Sequence, residues 1–455
     1  MNWERVPWRR VAQGAVATLA VAGIAVWWTR PSVRFVWGWR ALSATEAVLA
    51  ARWNGNAPSR YWVMMADQDG VRWSVETTPL APVTVLDRTS IEADADRVYA
   101  VLSDDEFAGE TWWLAAFDRK DGAEAWRRSA APPGVQGPLF DALILAGEHL
   151  VLLTTRRNDA EVHGFERATG TPAWTWSTDN TVLGTLSDDD AVAMVTLGSL
   201  VVLAARDGRE MQRFRSRGRA CEVDGGVLMS GEDALLLVPL GEGEVRPLAP
   251  SPIRYLEWCG QSTGTWVLAG RGRADDVFIL AGVDAGTGAA RWEREFPGAG
   301  LASITLDAES ERIPARLPVV LTQRESDGAS MDWRRVVVDS ATGEIVQDVI
   351  DGTQSVSYAA GVAVLDQGNT SMIVGPDGVS GARWRVPDRA RSLGDHVADG
   401  HWWVVSDAWV RPSALSFAVL DLASGELATK HGPDIVAERM PFTGSPARSG
   451  PARRP

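Results

Sequence analysis

The sequence predicts an all-β protein: a β-propeller of about eight four-stranded blades, preceded by one N-terminal transmembrane or signal helix. A short turn motif recurs along the chain at intervals of 35 to 55 residues, with one gap of 80. Short apolar runs alternate with these turns, and one uncharged stretch stands at the N-terminus. Four short strands in a unit of roughly 40 to 50 residues are typical of a propeller blade. Seven or nine blades are compatible with the same spacing.

The clearest copy of the repeat is ILAGVDAGTGAARWEREF, residues 279–296. An apolar run leads to Asp284, a corner follows at Thr287-Gly288, and the return segment carries Trp292. Asp and Thr side chains accept hydrogen bonds from nearby backbone N–H groups, and glycine adopts a positive φ without a Cβ penalty. The pattern therefore predicts a β-hairpin, which becomes stable when copies pack together.

The same corner of Asp, Thr or Ser before Gly occurs eight times. The corners are Asp69-Gly70, Asp121-Gly122, Thr169-Gly170, Asp207-Gly208, Thr287-Gly288, Thr342-Gly343, Asp377-Gly378 and Ser424-Gly425. Several corners have an acidic residue four positions before the glycine and a tryptophan after it. The residues predicted to build the repeat are Asp118, Gly122, Trp126, Glu166, Gly170, Trp174, Asp284, Gly288, Trp292, Asp339, Gly343, Asp421 and Gly425. A degenerate copy around Gly243 fills the gap of 80 residues.

These copies divide the chain into five segments. Residues 1–10 are basic, 11–28 form the predicted membrane segment, 29–44 a linker, 45–431 the propeller and 432–455 a disordered tail rich in Pro, Gly and Arg. Within the propeller, eight blades are assigned between 82 and 431. Residues 47–76 are interpreted as additional strands that close the ring against the last blade, which removes exposed sheet edges.

The uncharged run from 11 to 28 would be about 27 Å long as a helix, close to the thickness of a bilayer. Trp27 and Trp28 end the run, where an interfacial aromatic belt would lie. A signal anchor is the preferred interpretation, with a cleaved signal peptide and a buried core helix as alternatives. No cysteine follows the run, which excludes a lipoprotein anchor. Three arginines on each side leave the membrane orientation open.

The composition limits the function classes. A net charge of -14 argues against binding nucleic acid, because no basic stripe is available for phosphate. Two cysteines, Cys221 and Cys259, exclude a disulfide-dense scaffold; they either pair with each other or are two buried thiols. The 22 tryptophans are interpreted as packing between blades. The adjacent pairs Trp112-Trp113 and Trp402-Trp403 could instead each expose one indole to a partner.

The segments 116–126 (AFDRKDGAEAW), 164–174 (GFERATGTPAW) and 282–292 (GVDAGTGAARW) resemble the tryptophan-docking repeat of the PQQ-like β-propeller superfamily. That superfamily includes quinoprotein alcohol dehydrogenases and the BamB-type subunit of the outer-membrane barrel assembly machinery. The resemblance covers about residues 45–431 and implies the fold. It does not select between the functions of the two groups, because the repeat is structural in both.

Chemical motifs are scarce. The adjacent-cysteine disulfide of quinoprotein dehydrogenases is absent, and no set of Glu, Asn and Asp matches their calcium and quinone ligands, so neither PQQ nor calcium is expected. The histidines show no metal-ligand spacing: His149, His163, His396, His401 and His431. The acidic runs at 104–106, 188–190 and 275–276 are interpreted as solvated turns rather than calcium loops. We predict no catalytic, cofactor-binding or metal-binding residues.

The sequence therefore predicts a membrane-anchored propeller that acts as a non-catalytic interaction scaffold for other envelope proteins. Resemblance to the BamB-type subunit suggests envelope protein assembly. The expected location is the inner membrane, with the propeller in the periplasm or outside the cell, or a cleaved and secreted form. A PQQ-dependent or other enzyme using the central channel and an extracytoplasmic ligand sensor are the alternatives. The oligomeric state is left open.

Overall fold

The computed structural model describes residues 34–440. The exceptions are 54–59, 83, 86–87, 90, 104–111, 131–138, 157–158, 197, 217, 224–225, 232–233, 241–242, 249–252, 263, 273–276, 302–303, 307–312, 325–330, 350–352, 354, 360, 368–369, 375–380, 386–396, 406–407, 410–414 and 433–437. The predicted membrane segment 11–28 lies outside the described residues. Within the described ranges, a search finds no helix with the length and apolar character needed to cross a membrane.

The described chain consists of β-strands, which form nine sheets of four to six strands and one two-stranded ribbon. Within each blade the four main strands follow one another antiparallel, from the propeller axis outward. First strands of neighbouring blades meet at the axis, as at the bridge between Gly218 and Leu256 of blades 5 and 6. The predicted all-β propeller is confirmed, whereas the preferred number of eight blades is wrong: there are nine.

The strands of the first four blades follow one another in chain order. Blade 1 contains β1 (Arg34–Ala41), β2 (Glu46–Trp53), β3 (Arg60–Asp67) and β4 (Gly70–Glu76). Blade 2 contains β5 (Ala81–Pro82), β8 (Ile91–Ala93), β9 (Arg97–Ser103), β10 (Trp112–Asp118) and β11 (Glu124–Ser129). Between β5 and β8 the chain forms the separate two-stranded ribbon of β6 (Thr84–Val85) and β7 (Arg88–Thr89). Blade 3 contains β12 (Leu139–Ala146), β13 (His149–Arg156), β14 (Asp159–Glu166) and β15 (Pro172–Thr178). Blade 4 contains β16 (Val182–Ser187), β17 (Ala191–Thr196), β18 (Ser199–Ala204) and β19 (Glu210–Arg215).

The later blades include three strands that join a neighbouring sheet. Blade 5 contains β20 (Ala220–Val223), β21 (Gly226–Ser230), β22 (Leu235–Val238) and β23 (Arg246–Pro247), and blade 6 contains β24 (Tyr255–Ser262), β25 (Thr265–Arg271), β26 (Val277–Asp284) and β27 (Ala290–Pro297). Blade 7 contains β28 (Ala299–Leu301), β30 (Arg316–Arg324), β31 (Met331–Asp339) and β32 (Ile345–Val349), while β29 (Ile304–Leu306) joins blade 8. Blade 8 contains β33 (Ser355–Ala359), β34 (Val362–Gln367), β35 (Thr370–Val374) and β36 (Gly381–Arg385). Blade 9 contains β37 (Val397–Ala398), β38 (His401–Val405), β40 (Phe417–Asp421) and β41 (Glu426–His431), while β39 (Ala408–Trp409) joins blade 1 and β42 (Glu438–Met440) joins blade 8.

The extra blade is the one assigned from the sequence as a closing segment. Residues 47–76 belong to blade 1, whose first strand, β1, lies inside the predicted linker 29–44. β1 pairs with β2 along its whole length, from Arg34 opposite Trp53 to Ala41 opposite Ala47. The corner motif lies between the third and fourth strands, so it gives no signal for a first strand. Within the predicted tail 432–455, residues 438–440 form β42.

The hydrophobic core lies between blades, because the middle strands are buried on both faces. All residues of β17 and β18 are buried, for example. The outer strands alternate between exposed and buried residues, as in β27. Each apolar cluster contains residues from neighbouring blades, and one of them joins blades 8, 9 and 1. This cluster closes the ring.

Trp402 and Trp403 of β38 are both fully buried in the closing cluster. The Trp403 Nε1 atom donates a hydrogen bond of 2.9 Å to the carbonyl oxygen of Ser43 in blade 1. Trp112 is buried and Trp113 half-buried. The packing interpretation of these tryptophans is therefore the one that the structure supports, and none of the four presents a fully exposed indole to a partner.

Candidate functional site

The repeated corners have the predicted turn geometry. The Oδ1 atom of Asp284 accepts hydrogen bonds from the backbone N–H of Gly286 (3.0 Å), the backbone N–H of Thr287 (2.8 Å) and the Thr287 hydroxyl (3.0 Å). Gly288 has a φ of 71° and donates its N–H to the Asp284 carbonyl oxygen at 2.7 Å. The ion pair with Arg291, followed by the bonds from Thr287, lowers the pKa of Asp284 to about 2. This carboxylate stabilises its own turn.

Variants of this turn occur at the other predicted corners. Asp339 accepts the same three bonds from Ala341 and Thr342, at 2.9 to 3.1 Å. Three other corners have fewer of these bonds. Asp118 accepts a hydrogen bond from Lys120 N–H, Glu166 accepts one from the Thr169 hydroxyl, and Asp421 accepts one from Ser424 N–H. The φ angles of the corner glycines are positive at Gly122, Gly170, Gly343 and Gly425. The corner at 377–378 lies outside the described residues.

Four tryptophans that follow a corner glycine, which we call the docking tryptophans, contact the corner of the following blade: Trp73, Trp126, Trp174 and Trp292. Trp292 of blade 6 donates its Nε1–H to the carbonyl oxygen of Ser340 in blade 7 at 3.0 Å, and its indole packs under Gly343. Trp174 makes the corresponding bond to Ala205 of blade 4 at 2.8 Å and packs under Gly208. Trp73 likewise donates its Nε1–H to the Arg119 carbonyl oxygen and packs under Gly122. Trp126 packs under Gly170, but its Nε1 has no hydrogen-bond partner in the described structure. These tryptophans hold blades together.

Cys221 and Cys259 form a disulfide with a Cα–Cα distance of 6.1 Å. Cys221 lies on β20 and Cys259 on β24, so the bond joins the first strands of blades 5 and 6 near the axis. The sequence left open either a disulfide or two buried thiols, and the structure contains the disulfide.

Three described histidines and one acidic run contact neighbouring residues of the fold. His163 is buried, and desolvation by this burial lowers its pKa. His401 Nδ1 lies 2.8 Å from the Asp399 carbonyl oxygen, and the His431 ring stacks on Phe417. Asp188 closes a turn by accepting bonds from Asp190 N–H and Ala191 N–H. Residues 104–106, 275–276 and 396 lie outside the described ranges.

A cleft of about 850 Å³ opens on the propeller face that carries the corners, across blades 1, 2 and 3. We call it the corner cleft. Its walls come from turns between first and second strands and from corners between third and fourth strands. It is lined by Glu46, Arg72, Asp94, Ala95, Asp96, Arg97, Tyr99, Asp118, Arg119, Lys120, Glu148, Arg167 and Ala168. Five of these side chains are acidic and five are basic, so the cleft is strongly polar without a net charge.

Glu46 connects blades 1 and 2 at one end of the cleft. Its two carboxylate oxygens accept hydrogen bonds of 2.5 Å from Arg72 of blade 1 and from Arg119 of blade 2. Arg119 also donates to the Asp94 carbonyl oxygen at 2.6 Å. Burial alone would raise the pKa of Glu46, but the bonds from Arg119 and Arg72 outweigh it and lower the pKa. Glu46 is therefore held as a carboxylate.

Asp94 connects blades 2 and 3 at the other end. Its carboxylate accepts bonds from the Tyr99 hydroxyl (2.7 Å) and from the backbone N–H groups of Asp96 and Arg97 (both 2.8 Å), and Arg167 of blade 3 lies 3.4 Å away. Burial would raise the pKa of Asp94, but these bonds lower it. The pKa of Tyr99 is raised, first by burial and then by Asp94.

Three charged side chains of the corner cleft are held in their ionised forms by their neighbours. The pKa values of Glu46 and Asp94 are lowered and that of Arg72 is raised, so each of these three shifts favours the charged form. No cluster of three or more potential metal-ligating side chains occurs in the described part of the chain. The arrangement can pair with fixed charges on a partner.

The cleft was not predicted from the sequence. The residues from turns between first and second strands, such as Glu46 and Asp94, carry no repeated motif. One signal was present: an arginine directly follows the acidic corner residue in two consecutive copies, Asp118-Arg119 and Glu166-Arg167. Both arginines line the cleft.

Solved structures with similar folds include a quinohemoprotein alcohol dehydrogenase from Pseudomonas putida HK5, at 12% identity, 75% coverage of this chain, 72% coverage of that chain and a TM-score of 0.35. A europium-containing methanol dehydrogenase is 11% identical, with coverages of 79% and 80% and a TM-score of 0.36. Hsv2 from Kluyveromyces lactis is 8% identical, with coverages of 66% and 92% and a TM-score of 0.33. At these values the similarities carry no argument about function.

A comparison with curated protein sequences gives no match. Residues 110–251 match a family model described as outer membrane protein assembly factor BamB. This segment includes the corners at Gly122, Gly170 and Gly208, the last two strands of blade 2 and all strands of blades 3, 4 and 5. The match confirms, over this segment, the predicted resemblance to the PQQ-like β-propeller superfamily.

Proposed function

We propose that this protein is a non-catalytic docking platform of the bacterial envelope, anchored by residues 11–28, and that the corner cleft is its principal docking surface. The observation that carries the proposal is the set of ion pairs that fixes charged side chains from three successive blades. Fixed, partly exposed charges of both signs give an interface its specificity and orientation.

The exposed charged side chains at the rim of the cleft support a protein partner. Glu46 and Asp94 hold the walls together, while Lys120 and Asp118 are exposed at the rim and Glu148 has a side-chain exposure of 85%. An enzyme of this fold would need convergent polar groups with pKa values shifted toward neutrality. Glu46 and Asp94 have pKa values shifted in the opposite direction.

Three observations support a location and a task in the envelope. Disulfides such as Cys221–Cys259 persist in oxidising compartments, which include the periplasm. The uncharged run 11–28 provides the proposed anchor. The matching family model carries the description of an outer membrane protein assembly factor, and we propose a task in envelope protein assembly on that basis.

Site-specific photocrosslinking in cells that produce the full chain tests the proposal. A photoreactive residue at Lys120, on the cleft rim, should give a discrete adduct with an envelope protein. The same residue at Ile345, exposed on β32 of blade 7, is the matched control and should give none. With the captured partner purified, Lys120→Glu should weaken binding at least tenfold, and binding should weaken as salt rises.

Two results would overturn the proposal. Identical adducts from positions 120 and 345, or binding that is unaffected by Lys120→Glu, would remove the cleft from the interface. Saturable, stoichiometric binding of PQQ with Ca²⁺ in calorimetry would contradict the non-catalytic assignment.

A further inference from the structure

The outer edge of blade 8 already holds an added strand. β42 lies beyond the last blade in the chain, yet it pairs antiparallel with β36, the fourth strand of blade 8. Arg383 lies opposite Met440, Trp384 opposite Arg439, and Arg385 opposite Glu438. In the described part of the molecule, no other blade has a strand beyond its fourth.

β36 is a firmly held edge. It pairs with β35 over all five of its residues, from Thr370 opposite Arg385 to Val374 opposite Gly381. Trp384 is buried within the cluster that joins blades 8, 9 and 1. A sheet edge anchored in this way presents a fixed row of backbone donors and acceptors, which is the requirement for strand addition.

The described residues of β42 cover part of this edge. The strand has three residues and covers Arg383 to Arg385, so the described pairing stops before Gly381 and Ala382. The next residue, Pro441, has no N–H group to extend the ladder. Because a three-residue strand forms few hydrogen bonds for the residues that it orders, it belongs to the parts of a fold that open easily.

We propose that the outer edge of β36 is a strand-addition site for an extended segment of a partner protein, and that β42 is an internal occupant which the partner displaces. The partner segment runs antiparallel to β36 and covers five residues, two more ladder positions than β42 covers. Following the register of β42, it places an acidic residue opposite Arg385 and an apolar residue opposite Arg383. The site lies on blade 8, separate from the corner cleft of blades 1–3, and does not depend on it.

The probe is a fluorescent synthetic peptide of residues 433–441, PDIVAERMP. Its binding is compared between the unmodified chain and the full chain with Arg439→Pro, which places a residue unfavourable for strand pairing at the centre of β42. We expect at least tenfold tighter binding to the Arg439→Pro chain, because its edge is open. The same peptide carrying Arg439→Pro is the matched control and should not bind. Equal binding of the peptide to both chains would overturn the proposal.

A charge exchange tests the register. Arg385→Glu in the Arg439→Pro chain should weaken the peptide about tenfold, and a peptide with Glu438→Arg should recover the loss. Failure of that recovery would contradict the register opposite Arg385. Crosslinking at Lys120 is unaffected by either result, so the two proposals fail separately.

Hydrogen exchange on the unmodified chain provides a second test that needs no variant. Backbone N–H groups of 438–440 should exchange at least a hundredfold faster than those of β17, which is buried on both faces. Protection of 438–440 equal to that of β17 would show that β42 does not open, and would overturn the displacement.

Discussion

The indole Nε1–H of Trp292 donates a hydrogen bond of 3.0 Å to the backbone carbonyl oxygen of Ser340, across the boundary between blades 6 and 7. The same ring lies where a Cβ on Gly343 would have to be placed, with Trp292 Cδ2 only 2.5 Å from that position. One side chain thus combines apolar burial, a hydrogen bond and close backbone approach. A propeller needs this combination because its blades do not share a continuous hydrogen-bonded sheet.

Removal of the docking indole should destabilise the ring. Trp292→Ala deletes a nearly buried aromatic side chain and should lower the free energy of unfolding by about 3–5 kcal/mol. Trp292→Phe retains much of the packing and leaves the Ser340 carbonyl without this donor, at a smaller cost of about 1–3 kcal/mol. Ile345→Ala, at a position with 41% exposure, is the control and should change stability by less than about 0.5 kcal/mol. Urea unfolding measures all three, and equal effects of the two tryptophan variants would contradict the packing argument.

The corner glycine should be required for two separable reasons. Gly343 and Gly361 have nearly the same φ, 71° and 76°, but a Cβ on Gly361 meets nothing within 4 Å. Gly361→Ala should therefore cost only the left-handed conformation, about 1–2 kcal/mol, whereas Gly343→Ala adds an overpacking cost of about 1–3 kcal/mol. In a Trp292→Ala background the cost of Gly343→Ala should fall to that of Gly361→Ala. Thermal and urea unfolding of the four variants would show whether this coupling exists.

Stability should depend on pH through Glu46. Its pKa is lowered in the folded state, so its contribution is present above the ordinary glutamate pKa of about 4.3 and is lost as pH falls through the folded value. Glu46→Gln should reduce the free energy of unfolding by about 1 kcal/mol at pH 7, because two arginines lose their carboxylate. The difference from the unmodified protein should shrink as pH falls below about 4.3 and vanish below the lowered pKa of the folded state. Glu76→Gln, in an exposed pair with Arg60, is the control and should have no measurable effect; a difference for Glu46→Gln that persists unchanged at low pH would contradict the ion-pair origin.

Reduction of the disulfide should lower stability without changing the fold. The bond closes a chain segment with a sequence separation of 38 residues, for which restriction of the unfolded chain gives about 4 kcal/mol. The melting temperature of the unmodified protein should therefore fall on addition of a reductant. A Cys221→Ser/Cys259→Ser variant should melt at the lower temperature with or without reductant. Two titratable thiols in the denatured, unreduced protein would contradict the bond itself.

Much of the architecture could be predicted because its signals are local. An acidic residue, a Gly four positions later and a Trp after that lie within about ten residues, and their turn geometry follows from short-range hydrogen bonding. Asp284, Gly288 and Trp292 accordingly have the conformations and contacts expected of them. The number of blades was harder to obtain. β1 owes its place to backbone pairing with β2, and no motif marks it.

The amino-acid sequence by itself determined the all-β repeat, its corners and its tryptophans, since each depends on neighbours along the chain. Only the tertiary structure decided that Cys221 meets Cys259, that Glu46 of blade 1 meets Arg119 of blade 2, and that β42 returns to blade 8. These residues are separated by long stretches of chain and carry no repeated spacing. Their contacts are set by the order and closure of nine blades around one axis, a global property that no local pattern encodes.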